Sequence, residues 1–284
     1  MAIAALFPEN RTTASQFAVR NKHKEGIMEY IKSSKYSDFS SNYAQCSGPG
    51  GLKLAEFIAE KLSLKSGVRL LDIGTNKGLQ TCFLAKEYGV LSVGIDPNER
   101  SIKCLSENAQ SWGVHNQIFA LCGSVPNTGF ADNSFDVAYS TTTFEMIRGL
   151  EGEDAYRQCV SEVFRVLRPG GLFGLGEPMH LPVAIPSDLA SIYTQGNGSG
   201  PEGWEKCFAT IDETVDAFRH TGYEIVEAGY APDAWSWWEE YCQYDPGCIA
   251  NPEGEVKVLR RDGGRWASFG YAIARKPSGY GRAA

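Results

Sequence analysis

Residues 68–96 decide the fold of this chain, and they read VRLLDIGTNKGLQTCFLAKEYGVLSVGID. An apolar run at 68–73 ends in a glycine-bearing turn, and a segment with helical periodicity at 79–88 leads to a second apolar run at 90–95. Short apolar runs bounded by turn residues predict buried strands, and a connection that contains a helix returns the chain parallel to its first strand. The stretch therefore predicts a βαβ unit.

The turn and the end of the second strand carry a functional signal. Glycines at a strand-to-helix turn let a ligand approach the backbone, and the first amides of the helix offer donors. Asp96 ends the second strand 24 positions after Asp72, close to the ~20-residue offset of the acidic residue that binds ribose in nucleotide-binding βαβ units. We therefore expect an adenosine-like ligand whose ribose hydroxyls bind Asp96.

The glycine spacing distinguishes two classes of nucleotide ligand. A dinucleotide site needs G-x-G-x-x-G, but counted from Gly74 the next two glycine positions hold Asn76 and Leu79. The segment instead resembles motif I of the class I S-adenosylmethionine-dependent methyltransferases, D/E-x-G-x-G-x-G, in Asp72, Gly74 and Gly78. Asn76 replaces the middle glycine, and we expect the tight turn to survive because asparagine accepts a positive φ more readily than most residues.

Two further segments strengthen the resemblance. Residues 135–140, FDVAYS, resemble the family's entry into strand 4, and residues 167–171, LRPGG, resemble its turn before strand 5. With motif I and Asp96 at the right intervals, the chain is identified as a member of the family over about residues 50–180. It resembles the small-molecule methyltransferases of the ubiquinone and menaquinone biosynthesis type.

The resemblance implies a fold and a cofactor. The fold is α/β, a Rossmann-like, doubly wound seven-stranded sheet of order 3-2-1-4-5-7-6 in which strand 7 is antiparallel. An N-terminal tail and helical cover, residues 1–50, would fold over the cofactor site of a methyltransferase domain at 51–284 that carries an insertion at 183–211. The implied cofactor is S-adenosyl-L-methionine.

The resemblance also assigns site residues. The predicted cofactor-binding residues lie in motif I and at the ends of strands 2, 3 and 4; they are Asp72, Gly74, Asn76, Gly78, Asp96, Pro97, Gly123, Ser124 and Thr141. Ser124 stands where the family usually has an aspartate that reaches the adenine. The candidates on the substrate side lie in the cover and after strand 4; they are Tyr36, Tyr43, Cys46 and Glu145.

Glu177 and His180 are the candidate catalytic residues. They follow a predicted short strand at 172–175, at the edge where an open α/β sheet places its ligands. We expect both in a rigid, proline-bordered loop, and a histidine with a pKa near ~6.5 can take a proton from an attacking hydroxyl or amine. The alternative for His180 is a solvated side chain without a role.

Periodicity and turn residues predict the remaining elements. Helices are predicted at 15–33, 52–64, 98–112, 153–167 and 211–220, and strands at 118–122, 137–140, 223–228 and 266–274. Residues 35–51 and 245–264 are rich in turn formers and predict loops. The aromatic segment 235–242 predicts a helix that packs its indoles on the sheet or, alternatively, a wall that faces the substrate.

Composition limits the class of protein. The 284 residues are 43% hydrophobic, which suffices for a full core, and they carry a net charge of −7 with a pI near 5.3. This acidic balance argues against nucleic acid or an anionic membrane as a partner. The sequence shows no apolar stretch of membrane-spanning length. Its scattered cysteines are typical of a reduced, cytoplasmic protein, and we expect no metal. The sequence leaves open whether the protein forms a homodimer.

Three classes of function remain. A methyltransferase for a compact small molecule is favoured, because the cover, the insertion and the aromatic segment would enclose the site; its work is to align the acceptor for in-line displacement. A soft-atom variant of it, acting on a thiol or a metalloid, would require Cys46, Cys207 and Cys248 to converge. The other classes are an oxidoreductase on the same fold, disfavoured by the missing glycines, and a partner protein that binds a nucleotide without catalysis.

Overall fold

A seven-stranded mixed sheet forms the centre of the molecule in the computed structural model, which describes residues 29–46, 48–195 and 203–279. The strands are β1 (Arg69–Ile73), β2 (Leu91–Asp96), β3 (Ile118–Cys122), β4 (Phe135–Thr141), β5 (Leu167–His180), β6 (Glu224–Tyr230) and β7 (Ala267–Arg275). Their order is β3-β2-β1-β4-β5-β7-β6, and β7 runs antiparallel to both of its neighbours. The predicted fold and sheet order are confirmed.

Helices connect the strands and cover the sheet. In the described ranges they are α1 (Phe39–Tyr43), α2 (Gly51–Lys61), α3 (Leu79–Tyr88), α4 (Glu99–Ser111), α5 (Phe144–Glu151), α6 (Glu153–Val166), α7 (Ala190–Gln195), α8 (Trp204–Cys207), α9 (Ile211–Thr221), α10 (Ala234–Tyr244), α11 (Pro246–Ala250) and α12 (Glu255–Asp262). A 3-10 turn, Ser33–Lys35, precedes α1. None of these helices has the length and apolar character needed to cross a membrane.

The two faces of the sheet bury different helices, because successive side chains of a strand point to opposite faces. Leu70 of β1 packs in a core with α2, α3 and Trp237 of α10, whereas the next residue, Leu71, packs with α5, α6 and α9. A separate core forms between α7, α8, α10 and α12, around the fully buried Trp204 and Trp266. This core lies in the insertion and the C-terminal part of the chain.

The strand-helix-strand unit agrees with its prediction. Helix α3 spans the predicted residues 79–88, and β1 and β2 pair in parallel over five residues each. Asn98 caps α4 as predicted, because its side chain accepts hydrogen bonds from the backbone amides of Arg100 and Ser101. Strong local signals of turn and cap therefore set these boundaries.

The prediction for strand 5 was wrong in length. β5 extends over fourteen residues to His180, so Glu177 and His180 lie in the strand and not in a loop after it. The reason is β7, which pairs antiparallel along β5 up to His180. β4 pairs with β5 only as far as Gly176, so the edge of β5 that faces β4 is unpaired from Glu177 onward. Pro178 lies in this unpaired part, where a residue without a backbone N–H is tolerated.

Four other segments differ from expectation. The predicted loop at 245–264 contains α11 and α12, and the predicted loop at 35–51 contains α1, which Asp38 caps. Helix α5 was not predicted. The helix predicted at 15–33 lies mostly outside the described residues, and its described end holds a turn. Tertiary packing decides these short helices, since their own periodic signal is weak.

The cover segment, residues 29–46 and 48–50, packs on α2 and α10. The Glu56 carboxylate of α2 accepts hydrogen bonds from the backbone amides of Lys32 and Ser33, at 2.9 and 2.7 Å. The Tyr30 hydroxyl donates to Asp233 Oδ2 at 2.5 Å. The boundary between cover and domain at residue 50 stays a prediction.

Two glycines with the same backbone conformation allow a test of packing at the turn before α3. Gly78 and Gly113 have φ values of +74° and +71°, but a Cβ atom at Gly78 would lie 2.1 Å from Leu105 Cδ1, whereas at Gly113 it meets nothing within 4 Å. Both alanine variants carry the cost of a left-handed alanine, about 1–2 kcal/mol. We expect Gly78→Ala to lower the free energy of unfolding by about 1–3 kcal/mol more than Gly113→Ala, measured by urea denaturation. Equal losses would contradict the packing at Gly78.

Candidate active site

The turn between β1 and α3, residues 74–78, has a left-handed backbone at several positions. Gly74 has φ +73°, and Asn76, which replaces the motif glycine, has φ +49°. A Cβ atom at Gly74 would lie 2.1 Å from the hydroxyl oxygen of Thr143, which follows β4. Glycine at position 74 therefore lets the loops after β1 and β4 touch, and asparagine at 76 maintains the tight turn as expected.

Asp72 lies buried beneath this turn. Its Oδ2 atom accepts a hydrogen bond of 2.5 Å from the Thr81 hydroxyl in α3, and the hydroxyls of Thr81 and Thr75 are hydrogen-bonded to each other. Burial raises the pKa of Asp72 to about 7, although the two hydroxyl groups act in the opposite direction. Asp72 thus ties the strand to the helix from below the turn.

Asp96 ends β2 beside the turn, and its carboxylate is held by backbone amides. Oδ2 accepts from the Asn76 amide at 3.0 Å, and Oδ1 accepts from the Asn98 amide at 2.9 Å. The side chain remains half-buried, and Pro97 next to it is exposed. These bonds fix the carboxylate in orientation and leave part of it accessible.

The end of β3 offers open space next to Asp96. The Gly123 amide donates to the backbone oxygen of Asp96 at 3.1 Å, and a Cβ atom at Gly123 would meet nothing within 4 Å. Ser124, the next residue, is exposed. A flat group can therefore approach the backbone here without displacing a side chain.

The cover segment and the residue after it lie against the turn, α3 and the end of β4. Lys77 Nζ in the turn donates to the backbone oxygen of Ala44 at 2.7 Å. Gln80 Nε2 in α3 donates to the backbone oxygen of Gly51 at 2.7 Å. Gln80 Oε1 accepts from the hydroxyl of Thr141, the last residue of β4, at 2.7 Å. Thr141 is thus engaged with Gln80 in a buried polar contact that joins β4, α3 and the start of α2.

A cavity of about 210 Å³ opens beside the end of β4. Its lining combines the cover, the start of α5, β5, α8, α10 and α12; the residues are Gly48, Pro49, Thr142, Glu145, Met146, Pro178, Trp204, Cys207, Phe208, Trp238, Tyr241 and Glu255. Four of these side chains are aromatic and two are acidic. The cavity is therefore a mainly apolar chamber with carboxyl groups in its lining.

Glu145 is the most deeply buried acid of this lining, with 3% of its surface exposed. Its backbone amide donates to Glu177 Oε2 at 3.0 Å, whereas its own Oε2 atom has no hydrogen-bond partner. Burial, and next the charge of Glu177, raise the pKa of Glu145 well above its ordinary value. The Glu145 carboxyl therefore ionises less readily than an exposed glutamate.

The two predicted catalytic residues lie outside the lining of the cavity. Glu177 is fully buried behind Glu145, and burial raises its pKa to about 7 against the effect of Arg148, whose Nη1 lies 3.6 Å from Glu177 Oε1. The His180 ring stacks on Trp266 with ring centroids 4.6 Å apart, and Nδ1 lies 2.7 Å from the Leu181 backbone oxygen. This placement does not support direct contact of either side chain with an acceptor.

Two predicted substrate residues of the cover also lie outside the lining of the cavity. The Tyr36 ring stacks on Trp112 with a centroid distance of 4.8 Å, and its hydroxyl donates to Glu87 at 2.8 Å. Tyr43 is buried, and its hydroxyl donates to Glu240 of α10 at 3.0 Å. Both tyrosines attach the cover to the domain.

Several lining residues were missed or left undecided at the sequence level. Trp237 packs on Phe57 and Phe269, as the first interpretation of the aromatic segment predicts, whereas Trp238 and Tyr241 line the cavity. That this second face of α10 contacts the substrate stays a prediction. Glu255 was missed because its helix lies in the predicted loop. The spacing of Trp238 and Tyr241, three residues apart on one helix, was the available signal.

The three thiols of the soft-atom alternative do not form a metal site. Cys207 lines the cavity, Cys46 packs in the core around α2, and Cys248 is hydrogen-bonded to Cys242. Within 29–46, 48–195 and 203–279, no group of three His, Cys, Asp or Glu side chains is arranged to hold a metal ion. The convergence that this alternative requires is therefore missing among the described residues.

Comparisons with known proteins agree with this geometry. Residues 71–175 match the family model of the methyltransferase domain. A sterol 24-C-methyltransferase of Gibberella zeae is 32% identical over 185 residues, which cover 64% of this chain and 47% of that protein. The chain thus spans about half the length of the curated relatives it matches.

Solved structures share the fold at low sequence identity. Phosphoethanolamine N-methyltransferase 2 of Haemonchus contortus, in complex with S-adenosyl-L-methionine, superposes with a TM-score of 0.66 at 18% identity, over 89% of this chain and 61% of that one. The [4+2]-cyclase SpnF superposes with a TM-score of 0.62 at 19% identity, over 80% of this chain and 82% of that one. The same fold therefore occurs in proteins described by different reactions.

Motif I, the sheet order and the matching family model together define the class. Residues 71–175 carry a methyltransferase domain, and the fold is the one predicted from the resemblance to the class I S-adenosylmethionine-dependent methyltransferases. S-adenosyl-L-methionine is the cofactor of this family of enzymes.

The buried Asp72 predicts a pH dependence of stability. The pKa of Asp72 is 3.8 in the unfolded chain and about 7 in the folded protein, so the folded state binds the proton more tightly. The stabilisation that this proton provides is present at low pH and is lost as the pH rises from 3.8 through 7. The side-chain amide of the Asp72→Asn variant does not titrate in this range. We expect the unfolding free energy of the wild type to fall relative to that of Asp72→Asn by about 1–3 kcal/mol between pH 5 and pH 8. Urea denaturation at both pH values measures this, and parallel profiles of the two proteins would contradict it.

Proposed function

We propose that this protein transfers the methyl group of S-adenosyl-L-methionine to a compact small molecule bound in the cavity beside β4, hereafter the acceptor cavity. One observation carries the proposal. The acceptor cavity is lined by Thr142, directly after β4, and a Cβ atom at Gly74 of the motif I turn would touch Thr143. The predicted cofactor turn and a chamber for a second ligand are therefore neighbours at one edge of the sheet.

The strand ends fit the cofactor. β3, β2, β1 and β4 are adjacent, so their carboxyl ends form a row roughly 15 Å long at about 4.8 Å per strand. In this row the open backbone at Gly123 suits the adenine, and the accessible carboxylate of Asp96 suits the ribose hydroxyls. The proposed cofactor-binding residues remain those of the sequence, with Asp72 acting from beneath the turn.

Bound S-adenosyl-L-methionine supplies an electrophilic methyl group. The chain's own contribution is to hold the acceptor in line with that group and to exclude water. The buried aromatic lining and the cover segment suit both tasks. Catalysis by a dedicated base is needed only for an acceptor that must lose a proton.

The size of the acceptor cavity favours a compact acceptor. Its volume of about 210 Å³ lies below the range of about 300–1,000 Å³ usual for drug-sized ligands. The match covers only 47% of the sterol 24-C-methyltransferase of Gibberella zeae. The substrate of the sterol enzymes is therefore not carried over to this chain. The narrower resemblance to quinone-biosynthesis enzymes, the cytoplasmic location and the homodimer stay predictions.

Two alternatives are separated by experiment. A non-catalytic partner protein would bind S-adenosyl-L-methionine without turning it over, whereas a methyltransferase releases S-adenosylhomocysteine in the presence of a suitable acceptor. A panel of small acceptors with detection of S-adenosylhomocysteine tests the proposal. The oxidoreductase alternative has no support from the matched family, and binding of NAD measured by calorimetry would revive it.

Removal of the Asp96 carboxylate should weaken cofactor binding. Because charge-assisted hydrogen bonds to the ribose are lost, we expect Asp96→Ala to cost about 2 kcal/mol or more in the binding of S-adenosylhomocysteine, measured by calorimetry. Glu107→Ala, an exposed acid of α4, is the control and should bind normally. Equal affinity in Asp96→Ala would remove the ribose role from this residue.

Partial filling of the acceptor cavity should weaken binding of the acceptor and leave binding of the cofactor unchanged. Met146 lines the acceptor cavity from α5 and is 37% exposed, so Met146→Trp can enlarge the side chain without disturbing the core. We expect KM for the acceptor to rise several-fold while S-adenosylhomocysteine affinity stays unchanged. Leu150→Trp, on the same helix and 56% exposed, is the matched control. An unchanged KM in Met146→Trp would place the acceptor elsewhere.

A further inference from the structure

The acceptor cavity combines aromatic rings with carboxyl groups. Trp204, Phe208, Trp238 and Tyr241 supply the rings, and Glu145 and Glu255 supply the carboxyls. Among the described residues that line it, none is a lysine, an arginine or a histidine. The charge that this lining can offer a ligand is therefore negative only.

The positive charge nearest to Glu145 is already engaged. The Arg148 guanidinium lies 3.6 Å from Glu177 Oε1, 2.9 Å from Glu153 Oε2 and 3.6 Å from the centre of the Tyr156 ring. Glu177 also accepts the Glu145 amide hydrogen bond. Arg148 does not belong to the lining of the acceptor cavity. Glu177 thus has Arg148 as a charge partner within the protein, although its Oε1 atom also lacks a hydrogen-bond partner.

Glu145 differs from Glu177 because it lines the acceptor cavity. It is 97% buried and lines the acceptor cavity, and its Oε2 atom has no hydrogen-bond partner. A buried polar atom without a partner is unfavourable, so its retention beside a ligand chamber is explained if the carboxyl turns toward a bound ligand that supplies the missing donor. The second acid, Glu255, has its pKa raised to about 7 by burial and next by Asp245, so a positive ligand would stabilise its charged form too.

Three kinds of ligand can be compared in this chamber. An anion would meet only carboxyl groups and the negative faces of aromatic rings, and it would be repelled. A purely apolar ligand would leave the Glu145 oxygen without a partner. A cationic nitrogen is attracted by the ring faces and by the carboxylates, and an N–H group on it completes the hydrogen bonding of Glu145.

We infer that the acceptor is a small aliphatic amine whose ammonium group binds in the acceptor cavity, with its N–H donating to Glu145 and its alkyl groups on the aromatic rings. Because an ammonium nitrogen has no lone pair, its N–H proton first passes to the Glu145 carboxylate. The freed lone pair then forms the N–CH3 bond as the S–CH3 bond of S-adenosyl-L-methionine breaks and S-adenosylhomocysteine leaves. The inference rests on the proposed function and adds the chemical class of the acceptor. It assigns Glu145, one of the residues expected on the substrate side, as the residue that determines specificity for charge.

An isosteric pair of probes tests the assignment. Protonated N,N-dimethylethanolamine and 3-methyl-1-butanol have the same heavy-atom framework, and they differ in an N–H⁺ group in place of a C–H group. Binding of each is measured by calorimetry to the full chain saturated with S-adenosylhomocysteine, which prevents turnover. We expect the amine to bind at least about tenfold more tightly, because a desolvated cation gains both ring and carboxylate contacts.

Variants separate the role of Glu145 from a general effect of charge. Glu145→Gln keeps the shape and removes the negative charge, and we expect the preference for the amine to fall to within about threefold, with unchanged binding of the alcohol. Glu239→Gln removes an exposed charge of α10 outside the acceptor cavity and should keep the full preference. Thermal unfolding checks that each variant folds. If Glu145→Gln does not fold, the second variant is Glu145→Met, which keeps the length of the side chain and removes its charge.

The outcomes are distinct. Equal binding of the two probes, no binding of either, or a preference that persists in Glu145→Gln would overturn the inference. If Glu145→Gln does not fold, a preference that persists in Glu145→Met overturns it. Methyl transfer to neutral acceptors only would also overturn it while leaving the proposed function intact. The proposed function itself fails on a different result, the absence of S-adenosylhomocysteine release with every acceptor.

Discussion

The pairing of β1 with β2 on one edge and β4 on the other is the constraint on which the rest of the structure depends. Consecutive strands run outward from β1 to β3, and the chain then returns to place β4 on the opposite side of β1. The loops after β1 and β4 therefore leave the sheet side by side in opposite directions. Such a switch point opens a crevice at the carboxyl ends of the strands, where open α/β sheets bind their ligands.

The contacts at this crevice show how closely its two halves are joined. Gly74 can have no side chain because Thr143 occupies the space, and Thr141 reaches Gln80 of α3. The acceptor cavity then extends from Thr142 away from the motif I turn toward α8 and α10. A two-ligand reaction requires such an arrangement, in which each ligand has its own lining and the reacting groups meet at one strand end.

Burial of acidic side chains sets the chemistry of this region. Asp72, Glu145 and Glu177 all have raised pKa values, and burial is the largest cause in each. Their surroundings differ: Asp72 has two threonine hydroxyls, Glu177 has Arg148 as a charge partner, and Glu145 lines the acceptor cavity. A carboxyl group thus serves as a support in the first two places and faces a ligand chamber in the third.

Much of the sheet could be predicted from sequence, and much of the acceptor side could not. The motif I turn with Asp72, Gly74 and Gly78 depends on backbone conformation and on residues close in sequence, so local pattern predicts it. Glu177 and His180 were placed in a loop, because the pairing that extends β5 comes from β7, almost one hundred residues later. The roles assigned to the site residues stay predictions, both on the cofactor side and on the acceptor side.

The sequence by itself determined the βαβ unit, the left-handed turn at Asn76, the position of Asp96 at a strand end and the resemblance to the methyltransferase family. These features follow from short-range steric rules and from periodicity. Only the tertiary structure decided that Glu145, Trp204, Trp238 and Glu255 line one chamber, and that Glu177 supports Glu145 from behind. The physical reason is that these side chains come from helices far apart in the chain, which no local pattern can bring together.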